Sequence, residues 1–220
     1  GESPYKSPTD MGVNMAGNCI CDDEACREAS KQEIIRRYFD ALNALAKGST
    51  SEKEAQKIEL LMNMAGITVT DRKVVIKALE RAKETDGPAA ALELRDGRII
   101  TGKTTNLLGA SAALLLNVLK VLAGIDHETH ISSPESIEPI QKLQVDYLKS
   151  KNPRLHTDEV LIALSASAAT NPQARLALAQ LPELAGCQAH TSVMLSDVDI
   201  KIFKKLEVQL TSEAVYEHAL

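Results

Sequence analysis

The sequence has 220 residues and a formal net charge of −5, so it can bury a hydrophobic core but lacks the basic balance that nucleic-acid binding needs. Aromatic residues make up only 3% and tryptophan is absent, which argues against stacking on single-stranded bases. With 44% hydrophobic residues, the composition excludes a disordered or collagen-like chain.

The first part of the chain predicts an irregular lead-in followed by helices. Residues 1–20 are rich in Pro, Gly and small polar residues, which is typical of irregular structure. Apolar residues that recur every three or four positions then predict three helices, at residues 22 or 23 to 47, 51–66 and 70–85. Ser51 and Glu54 have the spacing of a capping box, and Thr70 is the expected cap of the third helix. Gly87-Pro88 breaks the pattern, so residues 1–87 are expected to form this helical portion.

The remainder, residues 88–220, alternates strands and helices. Two short strands around Arg95-Asp96-Gly97 predict a β-hairpin. A long apolar helix is expected at residues 105–123. Further strands are predicted at residues 128–132, 187–195 and 207–211. Further helices are predicted from 133 or 136 to 149, and at 157–169, 172–181 and 196–206. The expected fold class is therefore α/β, with a helical N-terminal portion followed by a mixed sheet with packed helices.

No segment predicts a membrane span or an export signal. The most apolar stretch, residues 107–125, is interrupted by Asn117 and Lys120, which favours a helix buried in a globular core. A cluster of Cys19, Cys21 and Cys26 lies far from Cys187 and does not form a spaced disulfide framework. We therefore expect a cytoplasmic protein.

Five strings carry a resemblance to a known family: YKSPTDMGVN at 5–14, EASKQEIIRRY at 28–38, IITGKT at 99–104, KNPRLH at 151–156 and AATNP at 168–172. Together they resemble the carboxy-terminal part of the bacterial DUF1846 (UPF0371) family of uncharacterised proteins. The resemblance implies a longer protein whose amino-terminal part is a nucleotide-binding α/β domain with a Gly-rich loop. This chain is then expected to be a fragment or a separately encoded second half. The resemblance transfers no catalytic residue, and the three clustered cysteines depart from the family pattern.

The segment between the hairpin and the apolar helix is the first candidate site. Residues 97–104 satisfy the phosphate-loop pattern GxxxxGK[ST], but their interior Arg-Ile-Ile is strand-like, whereas a phosphate loop must curve around its ligand. A weaker hypothesis is that free amides at a helix start, with a lysine and hydroxyls, bind phosphate or carboxylate. Its residues are Thr101, Gly102, Lys103, Thr104, Thr105 and Asn106. The alternative is that Thr104 or Thr105 simply caps the helix.

A second group of polar residues lies in the turn before residue 157. Arg154 can hold an anion with two hydrogen bonds, and His156 can transfer a proton near neutral pH. The alternative is an ordinary turn and helix cap with solvated charges. His190, in a predicted strand, could pair with His156 as acid and base, or it could be a structural histidine.

Metal and cofactor patterns are weak. His127-Glu128-Thr129-His130 is one residue short of HExxH, and Cys19-x-Cys21 with Cys26 lacks the usual ligand spacing. We predict no metal site, and the sequence identifies no cofactor.

Two hypotheses for function follow. In the first, the chain is the second half of a small-molecule enzyme: the segment 101–106 binds an anion, Arg154 orients it, and His156 or His190 is the general acid or base. In the alternative, it is a non-catalytic regulatory or oligomerisation domain that forms a homo-oligomer or docks a nucleotide-binding partner domain. Neither hypothesis includes a nucleic acid or a membrane as a partner.

Overall fold

A computed structural model describes residues 22–217. The predicted lead-in at 1–20, with Cys19 and Cys21, lies outside these residues. The chain divides into two compact units, Gly1–Arg72 and Lys73–Leu220. The domain boundary predicted between residues 87 and 88 stays a prediction.

In the first unit, two helices and one short turn of 3-10 helix are described. Their bounds are Asp23–Ala46 (α1), Glu52–Ala65 (α2) and Val69–Asp71 (the 3-10 turn). The Asp22 carboxylate caps α1 by accepting the Ala25 N–H at 2.9 Å. α2 ends where Gly66 adopts φ 66°, a left-handed conformation that glycine accommodates without strain. Ser51 lies at the N-cap of α2, but its side chain makes no capping hydrogen bond.

The second unit contains a four-stranded mixed sheet and six helices within the described residues. Its elements are Lys73–Thr85 (α3), Ala89–Glu93 (β1), Ile99–Lys103 (β2), Ala110–Leu122 (α4), Pro134–Lys142 (α5), Thr157–Ser167 (α6), Pro172–Leu178 (α7), Gln188–Thr191 (β3), Asp197–Lys205 (α8) and Gln209–Ser212 (β4). A short π-helical turn, Leu143–Tyr147, extends α5, and a 3-10 turn, Leu181–Leu184, precedes β3.

The sheet has the order β2-β1-β3-β4, in which β1 is antiparallel to both of its neighbours and β3 is parallel to β4. The hairpin turns where Gly97 has φ 83°, as its position after Asp96 predicts. One face of the sheet packs on α3 through Ala91 and Val74. The main core lies on the other face, where Leu92 and Ala189 of the sheet meet α4 and α8. The expected α/β class with a mixed sheet and packed helices is therefore confirmed.

Three expectations about element boundaries are wrong. The apolar helix begins at Ala110 rather than 105, because β2 runs to Lys103 and the next residues form a turn. The third helix begins at Lys73, after the 3-10 turn, so Thr70 is not its cap. Residues 128–132 form no strand, since the Glu128 and Thr129 amides donate to Asp126 in a turn.

α4 is apolar enough to have raised the question of a membrane span. Across the part of the chain that the structure describes, no helix has both the length and the apolar character to cross a bilayer. Nine of the thirteen α4 residues are buried instead, so the helix fills the core of the second unit.

Candidate functional site

The predicted anion segment and the predicted histidine turn meet in space. Leu108 and Leu155 form an isolated parallel bridge, in which the Leu155 amide donates to Leu107 at 2.9 Å. The Gly109 amide returns a bond to the Leu155 carbonyl at 3.3 Å. Gln141 reinforces the pairing, because its side-chain amide donates to the carbonyls of residues 106 and 153 at 3.2 and 2.9 Å. The start of α4 therefore lies beside the start of α6.

Two backbone amides of the segment 101–106 are engaged in hydrogen bonds outside the ladder between β1 and β2. The Thr104 amide donates to Pro88 and the Thr105 amide to Leu108, each at 2.9 Å. The Thr105 hydroxyl accepts the amides of Leu107 and Leu108 at 3.3 and 3.0 Å. Gly109, rather than Thr104 or Thr105, occupies the N-cap position of α4. The alternative that a threonine caps this helix is therefore wrong, and Thr105 stabilises a separate turn.

Gly102 permits a close approach between β2 and α4. A Cβ atom at this position would lie 2.2 Å from the Leu114 nitrogen and 2.5 Å from its Cα. Any side chain would therefore collide with the helix backbone, which cannot rotate aside. The packing of β2 against α4 therefore accounts for a glycine at position 102 independently of ligand binding.

Thr101, Lys103 and Thr105 are among the residues that line a cavity at the outer edge of β2. Lys103 is exposed, and within residues 22–217 no carboxylate pairs with its ammonium group. The Lys103 ammonium group is thus one donor that this segment offers. Asn106 is exposed, and its carbonyl accepts the Gln141 bond.

His156 lies at the N-cap of α6 and is oriented by a buried carboxylate on α8. Its Nδ1 is 3.0 Å from Oδ2 of Asp199, whose side chain is only 5% exposed. The same carboxylate accepts the Ser196 hydroxyl at 2.8 Å, and the Thr157 amide and hydroxyl, each at 2.9 Å. The Glu159 carboxylate accepts the His156 amide at 2.8 Å. The imidazole is therefore held in one orientation.

This arrangement changes the protonation of both partners. The hydrogen bond to Asp199 raises the pKa of His156, against an opposing effect of burial. Burial alone would raise the pKa of Asp199, but the bonds from His156, Thr157 and Ser196 outweigh it and lower that pKa. Burial also raises the pKa of Glu159. The result is a histidine that favours the protonated form beside an ionised aspartate.

Nε2 of His156 is the atom left for chemistry. The imidazole is 32% exposed, and no residue that the structure describes makes a hydrogen bond to Nε2. A histidine fixed through Nδ1 by a carboxylate, with Nε2 open, can donate or accept a proton at that atom.

The two other predicted residues are placed differently. Arg154 pairs with Glu217, so its positive charge is largely neutralised. His190 is fully buried on β3, where Nδ1 lies 2.8 Å from the Thr211 hydroxyl and Nε2 lies 3.3 Å from Glu213. His190 is thus enclosed in the sheet, and its role as a catalytic partner of His156 stays a prediction.

Sequence reasoning missed Asp199 as the partner of His156. Ser196 and Asp199 were expected only to cap α8, and the Ser196 hydroxyl does accept the Asp199 amide at 3.2 Å. His156 and Asp199 are 43 positions apart, so no local pattern links them. Among residues 22–217, no three His, Cys, Asp or Glu side chains are grouped to hold a metal ion.

Fold and site together define a mixed α/β unit with a histidine–aspartate pair beside a lysine-bearing segment. Residues 70–220 match the model described as Domain of unknown function DUF1846, C-terminal, and residues 1–66 match that of Domain of unknown function DUF1846, N-terminal. The chain belongs to the DUF1846 (UPF0371) family. Restricting the resemblance to the carboxy-terminal part was too narrow, since both models match.

Relatives from two bacterial genera align with nearly the whole of this chain but with less than half of their own length. A UPF0371 protein of Corynebacterium aurimucosum is 59% identical over 216 residues, which are 98% of this chain and 43% of that protein. One from Corynebacterium urealyticum is 57% identical, covering 98% of the chain and 44% of the relative. One from Streptococcus thermophilus is 50% identical, covering 99% and 44%. The chain therefore spans less than half the length of these relatives, whose names state no activity.

Proposed function

We propose that the second unit is part of an enzyme that binds the anionic group of a small substrate near Lys103 and transfers a proton at His156. The observation that carries this proposal is the Leu108–Leu155 bridge, because it brings the residues that follow the segment 101–106 beside the turn that ends at His156. An anion at one segment and a proton donor at the other are then the parts of one site.

The charges support a division of roles. Lys103 is exposed and has no described carboxylate partner, whereas Arg154 is paired with Glu217. Lys103 is therefore the stronger candidate for holding the anion, and Arg154 would have to leave its partner first. His156, kept in orientation by Asp199, presents Nε2 as general acid or base.

A coupled titration tests this proposal. Inorganic phosphate is added to the 220-residue chain, and the pKa of His156 is measured by NMR of ring nitrogens. We expect bound phosphate to raise the pKa of His156 further, because a nearby negative charge favours the imidazolium. Lys103→Gln should weaken phosphate binding by about tenfold, since it removes a charged hydrogen-bond donor.

Lys201→Gln, on the exposed face of α8, is the matched control and should bind phosphate as the wild type does. If phosphate binds with no change in the His156 pKa, the two segments do not form one site. Equal binding by Lys103→Gln and the wild type would also overturn the proposal.

An assembly domain is the second candidate, favoured by exposed apolar side chains on two helices that pack together. Ile162 on α6 is 66% exposed and Leu176 on α7 is 55% exposed. Such side chains suit a homo-oligomer or the docking of a nucleotide-binding half. Sedimentation velocity tests this: a monomer at all concentrations, both alone and with the amino-terminal half of a UPF0371 relative, would refute it.

A further inference from the structure

A cavity of about 640 Å³ lies between the outer edge of β2, α4 and the connection that follows α4. This volume falls in the range of pockets that enclose small organic ligands. Leu107, Leu116, Ile125 and Ile137 contribute to an apolar wall. The space therefore suits a molecule with a substantial hydrophobic body.

The cavity also has basic residues in its lining, namely Arg81, Lys103, Lys120, His127 and His130. Arg81 pairs with Glu84 at 3.1 Å, and the Lys120 ammonium donates to the His127 carbonyl at 2.6 Å, so Lys103 is the lining cation for which no partner is described. No Asp or Glu is among the described residues that line the cavity, although Asp126 and Glu128 lie close enough to act on Lys120. Burial lowers the pKa of Lys120, so an anion brought near it would favour its charged form. A lysine without a described carboxylate partner, in a lining where no Asp or Glu is described, points to an anionic ligand.

Ser132 provides an independent observation that points to a polar ligand in this cavity. The residue is only 8% exposed, and its hydroxyl has no hydrogen-bond partner among the residues described. Buried hydroxyls are normally satisfied, and an unsatisfied one destabilises the fold. Because Ser132 lines the cavity, an acceptor oxygen placed there would satisfy it. Nε of Arg81, which also lines the cavity, is likewise buried without a partner.

The edge of β2 adds backbone donors. The Thr104 amide donates to the Pro88 carbonyl, so these two residues form a hydrogen-bonded pair of the antiparallel ladder. Hydrogen-bonded and non-hydrogen-bonded pairs alternate along such a ladder, so the pairs formed by Lys103 and by Thr101 are not hydrogen-bonded. The amides of Thr101 and Lys103 therefore point away from β1, toward the open edge. There the Thr101 carbonyl already accepts the side-chain amide of Asn117 at 3.0 Å, so side chains do reach this edge.

We propose that this cavity binds an organic anion that carries a carboxylate or phosphate head on an apolar body. The Lys103 ammonium and the Ser132 hydroxyl bind the head, and the wall that includes Leu116 and Ile125 contacts the body. The inference rests on the proposed function for the role of Lys103 and deepens it by giving the chemical class of the ligand. It does not depend on proton transfer at His156.

Matched probes test the contributions of the anionic head and of the apolar body of the ligand separately. Octanoate, acetate and 1-octanol are titrated into the 220-residue chain by calorimetry, and octyl phosphate and inorganic phosphate form a second arm. We expect the two amphipathic anions to bind at least about tenfold more tightly than acetate, inorganic phosphate or 1-octanol, since each of those lacks one part. The arm that binds more tightly identifies the head group as a carboxylate or a phosphate.

Two variants locate the site. Ser132→Val removes the unpartnered hydroxyl with little change in volume. It should weaken the binding of whichever amphipathic anion binds more tightly by about two- to tenfold. Lys103→Gln should weaken it by about tenfold. Lys201→Gln is the control and should leave its affinity unchanged.

Three outcomes would overturn the inference: no binding by either amphipathic anion, equal binding of 1-octanol, or wild-type affinity in both Ser132→Val and Lys103→Gln. Failures of the two proposals are distinguishable. A phosphate-dependent rise in the His156 pKa without octanoate or octyl phosphate binding refutes the cavity ligand alone. Binding of these amphipaths at the cavity without that rise refutes the proton-transfer site alone.

Discussion

Replacing Gly102 by alanine should destabilise the second unit strongly. The added Cβ would lie 2.2 Å from the Leu114 nitrogen, whereas ordinary contact begins near 3.4 Å. Either β2 or α4 must therefore move by roughly 1 Å, and overpacking of this kind costs about 3 kcal/mol. The loss of chain entropy in the unfolded state offsets less than about 1 kcal/mol of that.

Thermal denaturation followed by circular dichroism measures the effect. At ~2–4 °C per kcal/mol for a domain of this size, a loss of about 3 kcal/mol lowers Tm by ~6–12 °C. Gly109→Ala is the matched control, because the nearest atom to its Cβ would be the Leu155 oxygen at 3.8 Å. We expect that control to lose at most about 1 kcal/mol, the cost of alanine at an N-cap.

The refuting result is a Gly102→Ala protein as stable as the Gly109→Ala control. The contact between β2 and α4 would then not be as close as the structure has it. If stability were unchanged while phosphate or octanoate binding was lost, Gly102 would serve the ligand rather than the packing.

Two further predictions concern the histidine pair and a helix cap. Asp199→Asn should return the pKa of His156 toward its ordinary value of 6.5, as NMR titration can show. Because the pKa of Asp199 is lowered and that of His156 is raised, their pairing stabilises the fold fully between about pH 3.8 and 6.5, and this stabilisation is lost as the pH rises from 6.5 through the folded pKa of His156. Urea denaturation should therefore show the largest deficit of the variant between those limits, and a pH-independent deficit would contradict this. Asn171→Ala should lower the free energy of unfolding, measured by urea denaturation, by about 1 kcal/mol, because the Asn171 side chain accepts two amides at the start of α7. Ser51→Ala is the control and should lower it less, since Ser51 lies at an N-cap without such a bond. Equal losses in the two variants would refute the capping argument.

Local chemistry made much of this fold predictable. Gly97 follows Asp96 between two short apolar runs, and the hairpin turns there with the positive φ that glycine permits. Asn171-Pro172 predicted the start of α7, because asparagine accepts the first amides and proline needs no donor. Each signal lies within a few residues, so no long-range contact was needed to interpret it.

Long-range partners account for what the sequence could not show. α4 was expected to begin near 105, but the ladder between β1 and β2 extends the strand to Lys103 and delays the helix. The His156–Asp199 pair depends on two elements that are distant in sequence. Patterns of neighbouring residues carry no information about such pairings.

β2 is an outer strand of the sheet, and such a strand can template the addition of a strand from another chain. The Asn117 side chain already donates to the Thr101 carbonyl, which an added strand would need as an acceptor. The charged Lys103 is also exposed on this strand, and an added strand would have to pack beside it. These two side chains therefore oppose the addition of a strand at this edge. A variant that removed both would be expected to self-associate through β2 even though its core was intact.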